Sequence, residues 1–290
     1  MENTRHFSDT VDGPSLLRDG EPARPGRRRP SRPQPWRDDL ARVVEAEIIP
    51  RLMLAHRTGR RSCLVSGPRP EPEAIARFAA LMLASADADP MAEIQDFLDG
   101  GMSFDGLLLE LLAPTARHIG RLWEEDACDF VQVTVAMARL RRLVHDLEML
   151  FVEPPPADPA SRRVLLVPAP GETHTFGLTI VTHFFTEAGW DVASGVSWRE
   201  TKPLEHLRDA WFDVVGISLS CDVFLEALAE AVPIIRRASC SRDLRILVGG
   251  PAFENRPDRV RRVGADAVAL DAREAPGIAA TLLDLRVRAC

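Results

Sequence analysis

The sequence predicts an α/β protein in which an N-terminal four-helix bundle precedes a doubly wound, flavodoxin-like domain with a five-stranded parallel sheet. Within residues 72–152, apolar residues recur at helical spacing in four stretches joined by short loops, which is typical of a bundle. Residues 163–290 instead alternate short runs rich in β-branched residues with helical stretches, as parallel sheets covered on both faces do. A chain of 290 residues is long enough for both units.

The N-terminal region differs from the rest in composition. Residues 22–37 hold six arginines, five prolines and no acid, in a chain whose net charge is −7. Such a segment buries too little apolar surface to offset its chain entropy, so residues 1–37 are predicted to be disordered. The arm either contacts nucleic-acid phosphates or an acidic partner, or is a solvated tail without a partner. Residues 38–71 are predicted to form a helix interrupted at Pro50, followed by a linker.

The boundaries of the bundle helices follow from capping and breaking residues. Gly100 and Gly101 end the second helix, and Ser103 is placed to cap the third. Pro114 predicts a kink within that third helix. A stiff, proline-rich linker is predicted over residues 153–162.

The α/β part contains five strand-like runs, each followed by a helical stretch. The runs are RVLLVPAP, DVASG, DVVGISLS, RILVGG and DAVAL. In doubly wound sheets, ligands bind beyond the carboxyl ends of the strands, where the chain connection reverses direction. The loop GETHTFG follows the first run, so a ligand site is expected there.

Polar and small residues follow three of these strands. They are Glu172, His174 and Gly177 after the first run, Ser218 and Ser220 after the third, and Gly249 and Gly250 after the fourth. This set resembles the cobalamin-binding domain, whose corresponding motifs are DxHxxG, SxL and GG. The resemblance covers residues 163–290, with Glu172 replacing the usual aspartate and Ser220 the usual leucine.

The resemblance implies a role for each of these residues. His174 would coordinate cobalt from below, replacing the nucleotide base of the cofactor. Glu172 would hydrogen-bond the other imidazole nitrogen, which fixes the tautomer and raises the basicity of the ligand. The displaced nucleotide tail would enter a slot kept open by small residues: Gly177, Ser218, Gly249 and Gly250.

The helical stretch LAPTARHIGRLWEEDACDFVQVTVAMARL resembles the cap that precedes cobalamin domains in light-responsive sensors and corrinoid carriers. This resemblance implies that Trp123 covers the upper face of the ring. Without the downstream domain, a large core aromatic would be the favoured interpretation of the same tryptophan. Where photoreceptors that bind adenosylcobalamin carry Glu-His, this chain has Val133 and Thr134, so water or hydroxide is the expected upper ligand. His118 lies one turn before Trp123 and is expected to be solvated.

Most of the chain resembles the AerR/PpaA family of cobalamin-binding antirepressors of photosynthesis genes. The stretches that carry this resemblance are EAEIIPRLMLAHR, the cap stretch quoted above and PGETHTFGLTIV. It implies a light-sensitive regulator that binds the repressor CrtJ/PpsR. A related sensor domain holds haem, and His174 would serve iron equally well.

Two other functions remain open from the sequence. A corrinoid carrier for methyl transfer would have the same two domains, and a nucleotide-binding flavodoxin-like module would have the same sheet. The first strand–helix turn lacks GxGxxG, which disfavours dinucleotide binding. No nucleophile–base pair or carboxylate dyad is apparent, so no catalytic turnover is expected. The five scattered cysteines, the absence of a long apolar run and the polar N-terminus favour a cytoplasmic protein that does not enter membranes.

Overall fold

The computed structural model describes residues 69–84, 89–151, 161–198 and 203–287. The predicted tail over 1–37, nearly all of the helix and linker predicted over 38–71, and most of the proline-rich linker therefore lie outside the described residues. All described residues fall within one compact unit. No helix among them is long and apolar enough to cross a membrane.

The N-terminal part of the described chain, here called the cap, is helical. Its elements are α1 (Pro72–Leu83), α2 (Pro90–Asp99), α3 (Phe104–Gly106), a π-helical segment (Leu107–Leu112), α4 (Ala113–Glu124) and α5 (Phe130–Phe151). The four predicted helical stretches are thereby confirmed, the third of them being α3, the π segment and α4 in succession. The Ser103 hydroxyl accepts a hydrogen bond from the Gly106 N–H at 3.1 Å, as its predicted capping role requires.

The structure accommodates Pro114 through a change of helical register upstream of the proline. Pro114 has no N–H and leaves the carbonyl of Glu110 without its α-helical donor. The N–H of Ala113 instead bonds the carbonyl of Leu108, five residues back. The sequence predicted a kink at Pro114. The structure shows a π-helical segment that ends just before this proline.

The remaining elements alternate strands and helices as predicted. They are β1 (Arg163–Pro168), α6 (Phe176–Glu187), β2 (Asp191–Ala193), α7 (Pro203–Asp209), β3 (Val214–Ser218), α8 (Leu225–Ala238), β4 (Arg245–Gly249), α9 (Pro257–Val263), β5 (Ala267–Ala269) and α10 (Ala275–Val287). The five strands are all parallel, in the order β2-β1-β3-β4-β5. This is the flavodoxin-like order, and it reverses direction between β1 and β3. The predicted fold class is confirmed.

Helix α6 lies between the cap and the sheet and is apolar on both sides. Phe176, Ile180 and Phe184 belong to the core of the cap. Leu178 and Phe185 belong to a second core formed with one face of the sheet. Because its apolar residues enter both cores, α6 joins the two parts of the molecule into one packed unit.

Candidate corrinoid site

The loop after β1 (residues 169–175, the β1 loop) is built around a buried carboxylate. The side chain of Glu172 has no exposed surface. Its Oε1 accepts hydrogen bonds from the backbone N–H groups of Thr173 at 2.8 Å and His174 at 2.9 Å. Its Oε2 accepts one from the backbone N–H of Ser220 at 2.8 Å. Glu172 therefore joins the ends of β1 and β3 across the point where the strand order reverses.

The ring of His174 completes this network. Its Nδ1 lies 2.6 Å from Oε1 of Glu172, while its side chain is 65% exposed. With a carboxylate as partner, Nδ1 carries the proton and donates it, so Nε2 holds the free lone pair. A buried acceptor thereby orients an exposed imidazole in the tautomer that binds a metal through Nε2.

The electrostatics of Glu172 favour its ionised form. Burial alone would raise the pKa of Glu172. The backbone hydrogen bonds from His174 and Ser220, the hydrogen bond from the His174 ring and the charge of that ring together outweigh burial and lower this pKa below its ordinary value. The carboxylate is thus available as an acceptor at neutral pH.

Six of the predicted site residues lie together at this edge of the sheet. Ser218 pairs in register with Gly249 on β4 and with Pro168 on β1. The N–H of Leu219 donates to the carbonyl of Gly249 at 3.0 Å, and the N–H of Ala169 donates to the carbonyl of Ser218 at 2.8 Å. The six are Glu172, His174, Ser218, Ser220, Gly249 and Gly250.

Ser220 contributes through its backbone. The sequence marked this position for its side chain, because serine stands there where the cobalamin-binding motif has leucine. In the structure its N–H is the donor to Glu172. Any residue except proline supplies that donor, so the departure from the motif leaves this contact intact.

The glycines at the end of β4 are required by the protein itself. A Cβ on Gly249 would lie 2.7 Å from the carbonyl oxygen of Ala269. Gly250 has a φ of +101°, and a Cβ there would collide with the carbonyl oxygen of Leu219. Close approach of backbones therefore accounts for both glycines without a ligand.

Gly177 is in a different situation. It lies inside the first turn of α6, which begins at Phe176. A Cβ on Gly177 would have no atom within 4 Å. The space beside it is open, as the predicted slot requires.

Trp123 lies in the last turn of α4 and is 46% exposed, so it is not a core aromatic of the bundle. Phe130 and Val131, at the start of α5, are also exposed. Helix α4 also contacts α6. The cap thus offers an apolar surface at this end, although no hydrogen bond links Trp123 to the β1 loop in the described part of the chain.

Some functional contacts had only weak signals in the sequence. Gly171 has a φ of +87°, and a Cβ there would lie 2.6 Å from the ring of Phe224. The dipeptide Pro170-Gly171 is a turn signal that marks this reversal. Trp198 donates its indole N–H to the carbonyl of Pro168 at 2.8 Å and secures the end of β1. Nothing in the local sequence pointed to that contact.

Comparison with known proteins identifies the family. Residues 162–279 match the model of the B12 binding domain. A Rhodobacter capsulatus protein, described as an uncharacterized 20.5 kDa protein in the bchF–crtJ intergenic region, is 30% identical over 156 residues, covering 54% of this chain and 81% of the relative. The chain belongs to the AerR/PpaA family. The resemblance seen in the motifs is thereby confirmed, and the α/β part of this family member is a cobalamin-binding domain.

A solved structure supports the fold of this AerR/PpaA-family chain. The monomethylamine corrinoid protein of Methanosarcina barkeri matches with a TM-score of 0.55 and 13% identity, over 71% of this chain and 96% of that one. A cobalamin-binding protein from Desulfitobacterium hafniense DCB-2 matches over 72% of this chain and 98% of that one, with 18% identity and a TM-score of 0.37. The first of these likenesses establishes the shared fold.

Proposed function

We propose that this protein binds cobalamin through His174 and acts as a light-responsive antirepressor of photosynthesis genes by binding a CrtJ/PpsR-type repressor. The observation that carries the proposal is the exposed His174 ring held through Nδ1 by the buried Glu172, within a B12-binding domain. The Rhodobacter relative is encoded between bchF and crtJ. That location associates the family with the gene for a repressor of this type.

The residues present are suited to a corrinoid. His174 offers Nε2 to cobalt, and the open space beside Gly177 suits the nucleotide tail. Trp123 offers an exposed aromatic face from the cap. When bound, cobalamin supplies a light-absorbing cobalt centre whose upper ligand responds to light.

The upper ligand is proposed to be water or hydroxide. Val133 packs against the core of the cap, and the hydroxyl of Thr134 donates to the carbonyl of Phe130 in its own helix at 2.7 Å. Neither residue offers a free polar group to an adenosyl moiety. At His118, Nδ1 accepts from the Arg121 guanidinium at 3.0 Å, so Nε2 carries the proton and has no lone pair for cobalt.

The decisive test is an absorption spectrum of the full chain reconstituted with hydroxocobalamin. We expect a histidine-ligated spectrum from the wild type, its loss in His174→Ala, and no change in the control His118→Ala. Equally tight binding with the same spectrum in His174→Ala would refute the ligand role. A Soret band with haem, together with no corrinoid uptake, would favour the haem alternative.

The regulatory step is tested by measuring affinity for a CrtJ/PpsR-type repressor in the dark and after illumination. The cofactor can shift this affinity only by its differential binding to the two arrangements of the protein. We expect a light-dependent change in the holoprotein and none in His174→Ala. An affinity independent of light would refute the sensor role, and methylation of the bound corrinoid by a methyltransferase would support the carrier alternative.

We further propose that the protein is a regulator without catalytic turnover. We also propose that its N-terminal arm, residues 22–37, contacts DNA. A reproducible steady-state reaction by the purified protein would contradict the first statement. For the second, deletion of residues 22–37 should reduce the salt dependence of binding to photosynthesis promoters. An unchanged salt slope would dismiss the arm as a DNA contact.

A further inference from the structure

A second histidine, His183, is buried where helix α6 packs against the cap. Its side chain is 3% exposed. Its Nε2 lies 3.4 Å from Oδ1 of Asp105 on α3, and its Nδ1 lies 3.9 Å from Oε1 of Glu148 on α5. Ligand atoms of Asp105, His183 and Glu187 all lie within 4.8 Å of one another. Asp105, Glu148, His183 and Glu187 are here called the His183 cluster.

The distances in the His183 cluster are long for hydrogen bonds. Good N–H···O bonds span about 2.7–3.2 Å, and both contacts of the ring exceed that range. Buried polar groups are normally well bonded. The ring of His183 is almost fully buried, and each of its nitrogens faces a carboxylate at a distance too long for a good hydrogen bond. These carboxylates therefore satisfy the hydrogen-bonding capacity of the ring only weakly.

One of these distances matches the spacing of two ligands on a shared metal ion. Zinc binds histidine nitrogen at about 2.0–2.1 Å and carboxylate oxygen at about 2.0–2.2 Å. Two ligands of a tetrahedral ion at that radius lie about 3.4 Å apart, which is the distance between Nε2 of His183 and Oδ1 of Asp105.

The local charge also favours a cation. Neither Asp105 nor Glu148 forms an ion pair with an arginine in the described part of the chain. A divalent cation would supply the positive charge that these carboxylates lack.

We propose that Asp105, His183 and Glu187 bind a Zn²⁺ ion at the junction of the cap and α6, with Glu148 beside them. Asp105 belongs to the cap, whereas His183 and Glu187 lie on α6. The ion would therefore cross-link the cap to the α/β part. This site uses none of the residues of the β1 loop and does not depend on the proposed corrinoid function.

The test is a Zn²⁺ titration of the full chain by calorimetry, in a His174→Ala background that removes the competing exposed imidazole. We expect one tight site and a higher Tm with Zn²⁺. His183→Gln should weaken binding by more than about 100-fold, since outer-sphere partners alone are worth about 10–100-fold. Glu187→Gln, which replaces a charged carboxylate ligand by a neutral amide, should weaken it by at least about 10-fold, because loss of a ligand costs no less than loss of an outer-sphere partner. Co²⁺ should give tetrahedral d–d absorption that disappears in His183→Gln.

The matched control is Asp146→Asn, an exposed acid on α5 that pairs with Arg142. It should leave Zn²⁺ binding unchanged. Absence of a saturable site, or equal affinity in His183→Gln, would overturn the proposal. Should His183→Gln fail to fold, Glu187→Gln and Asp105→Asn decide the matter, and undiminished binding in both would overturn it.

Discussion

The β1 loop and the His183 cluster each pair a histidine with carboxylates, but they bury opposite partners. In the β1 loop the carboxylate is fully buried and the His174 ring is exposed, at a distance of 2.6 Å. In the His183 cluster the ring is buried, whereas the Asp105 and Glu148 side chains are 35% and 28% exposed and lie at 3.4 and 3.9 Å. A buried acceptor makes an exposed imidazole a directed ligand, while a buried imidazole with distant acids leaves room for an ion.

The largest expected difference between the two regions is in how much the free energy of unfolding falls when a carboxylate is removed. Glu172→Ala removes the acceptor of three backbone N–H groups and of one imidazole, so it should lower the free energy of unfolding by about 3 kcal/mol. Asp105→Ala removes one long contact of a partly exposed side chain and should cost less than about 1 kcal/mol. Urea denaturation of the metal-free protein measures both. Equal costs would contradict the asymmetry.

For the histidines, we expect the substitution in the His183 cluster to lower the free energy of unfolding more than the substitution in the β1 loop. His183→Ala removes a buried ring that packs edge-on against Phe104 at 4.8 Å and Phe184 at 5.2 Å, and it should cost about 2 kcal/mol. His174→Ala removes an exposed ring and should cost less than about 1 kcal/mol while abolishing histidine ligation of cobalt. The same urea titrations are the measurement. A large stability loss in His174→Ala would assign that ring a structural role.

Substitution of two helical glycines tests whether the space beside Gly177 receives the cofactor. An added Cβ meets no atom within 4 Å at Gly177 on α6 or at Gly277 on α10. Each substitution by alanine should therefore raise stability by about 0.5–1 kcal/mol, because alanine has the better helix propensity. Only Gly177→Ala should weaken hydroxocobalamin binding, as measured by spectroscopic titration. Unchanged affinity in that variant would exclude the space beside Gly177 as the slot.

The smallest expected effects are opposite responses of the two regions to pH. The pKa of Glu172 is lowered in the folded protein, so its stabilisation is present above the ordinary carboxyl pKa and is lost as pH falls through the folded value. The pKa of Glu148 is raised, so its ionised form destabilises the folded state, and this penalty declines as pH falls below the raised value and is gone below the ordinary carboxyl pKa.

Unfolding of the metal-free protein from pH 7 downwards, with chelator present, separates these two contributions. Glu172→Gln should flatten the acid-side loss of stability, and Glu148→Gln should raise stability at neutral pH. Identical pH profiles for the wild type and both variants would contradict the assignment.

Much of the fold followed from local pattern. Each of the five apolar runs became a strand, and the Glu172–His174 loop was correctly placed after the first. For Gly249 and Gly250 the structure shows a requirement that the sequence did not reveal, because neighbouring backbones approach closely there; their role in the ligand slot stays a prediction. The motif also directed attention to the side chain of Ser220, when the contact with Glu172 comes from its N–H.

The His183 cluster could not be predicted in this way. A histidine within an amphipathic helix is an ordinary polar residue when only the sequence is considered. Its carboxylate neighbours Asp105 and Glu148 lie 78 and 35 positions earlier in the chain, and only the packing of α6 against the cap brings them close.

The amino-acid sequence alone determined the alternation of strands and helices, the parallel sheet and the identity of the cobalt-binding candidate, because these depend on residue periodicity and on motifs of adjacent residues. The tertiary structure decided which polar groups are buried. Burial depends on how distant segments pack, and it determines whether a carboxylate orients an imidazole, as Glu172 does, or leaves a gap beside one, as Asp105 and Glu148 do.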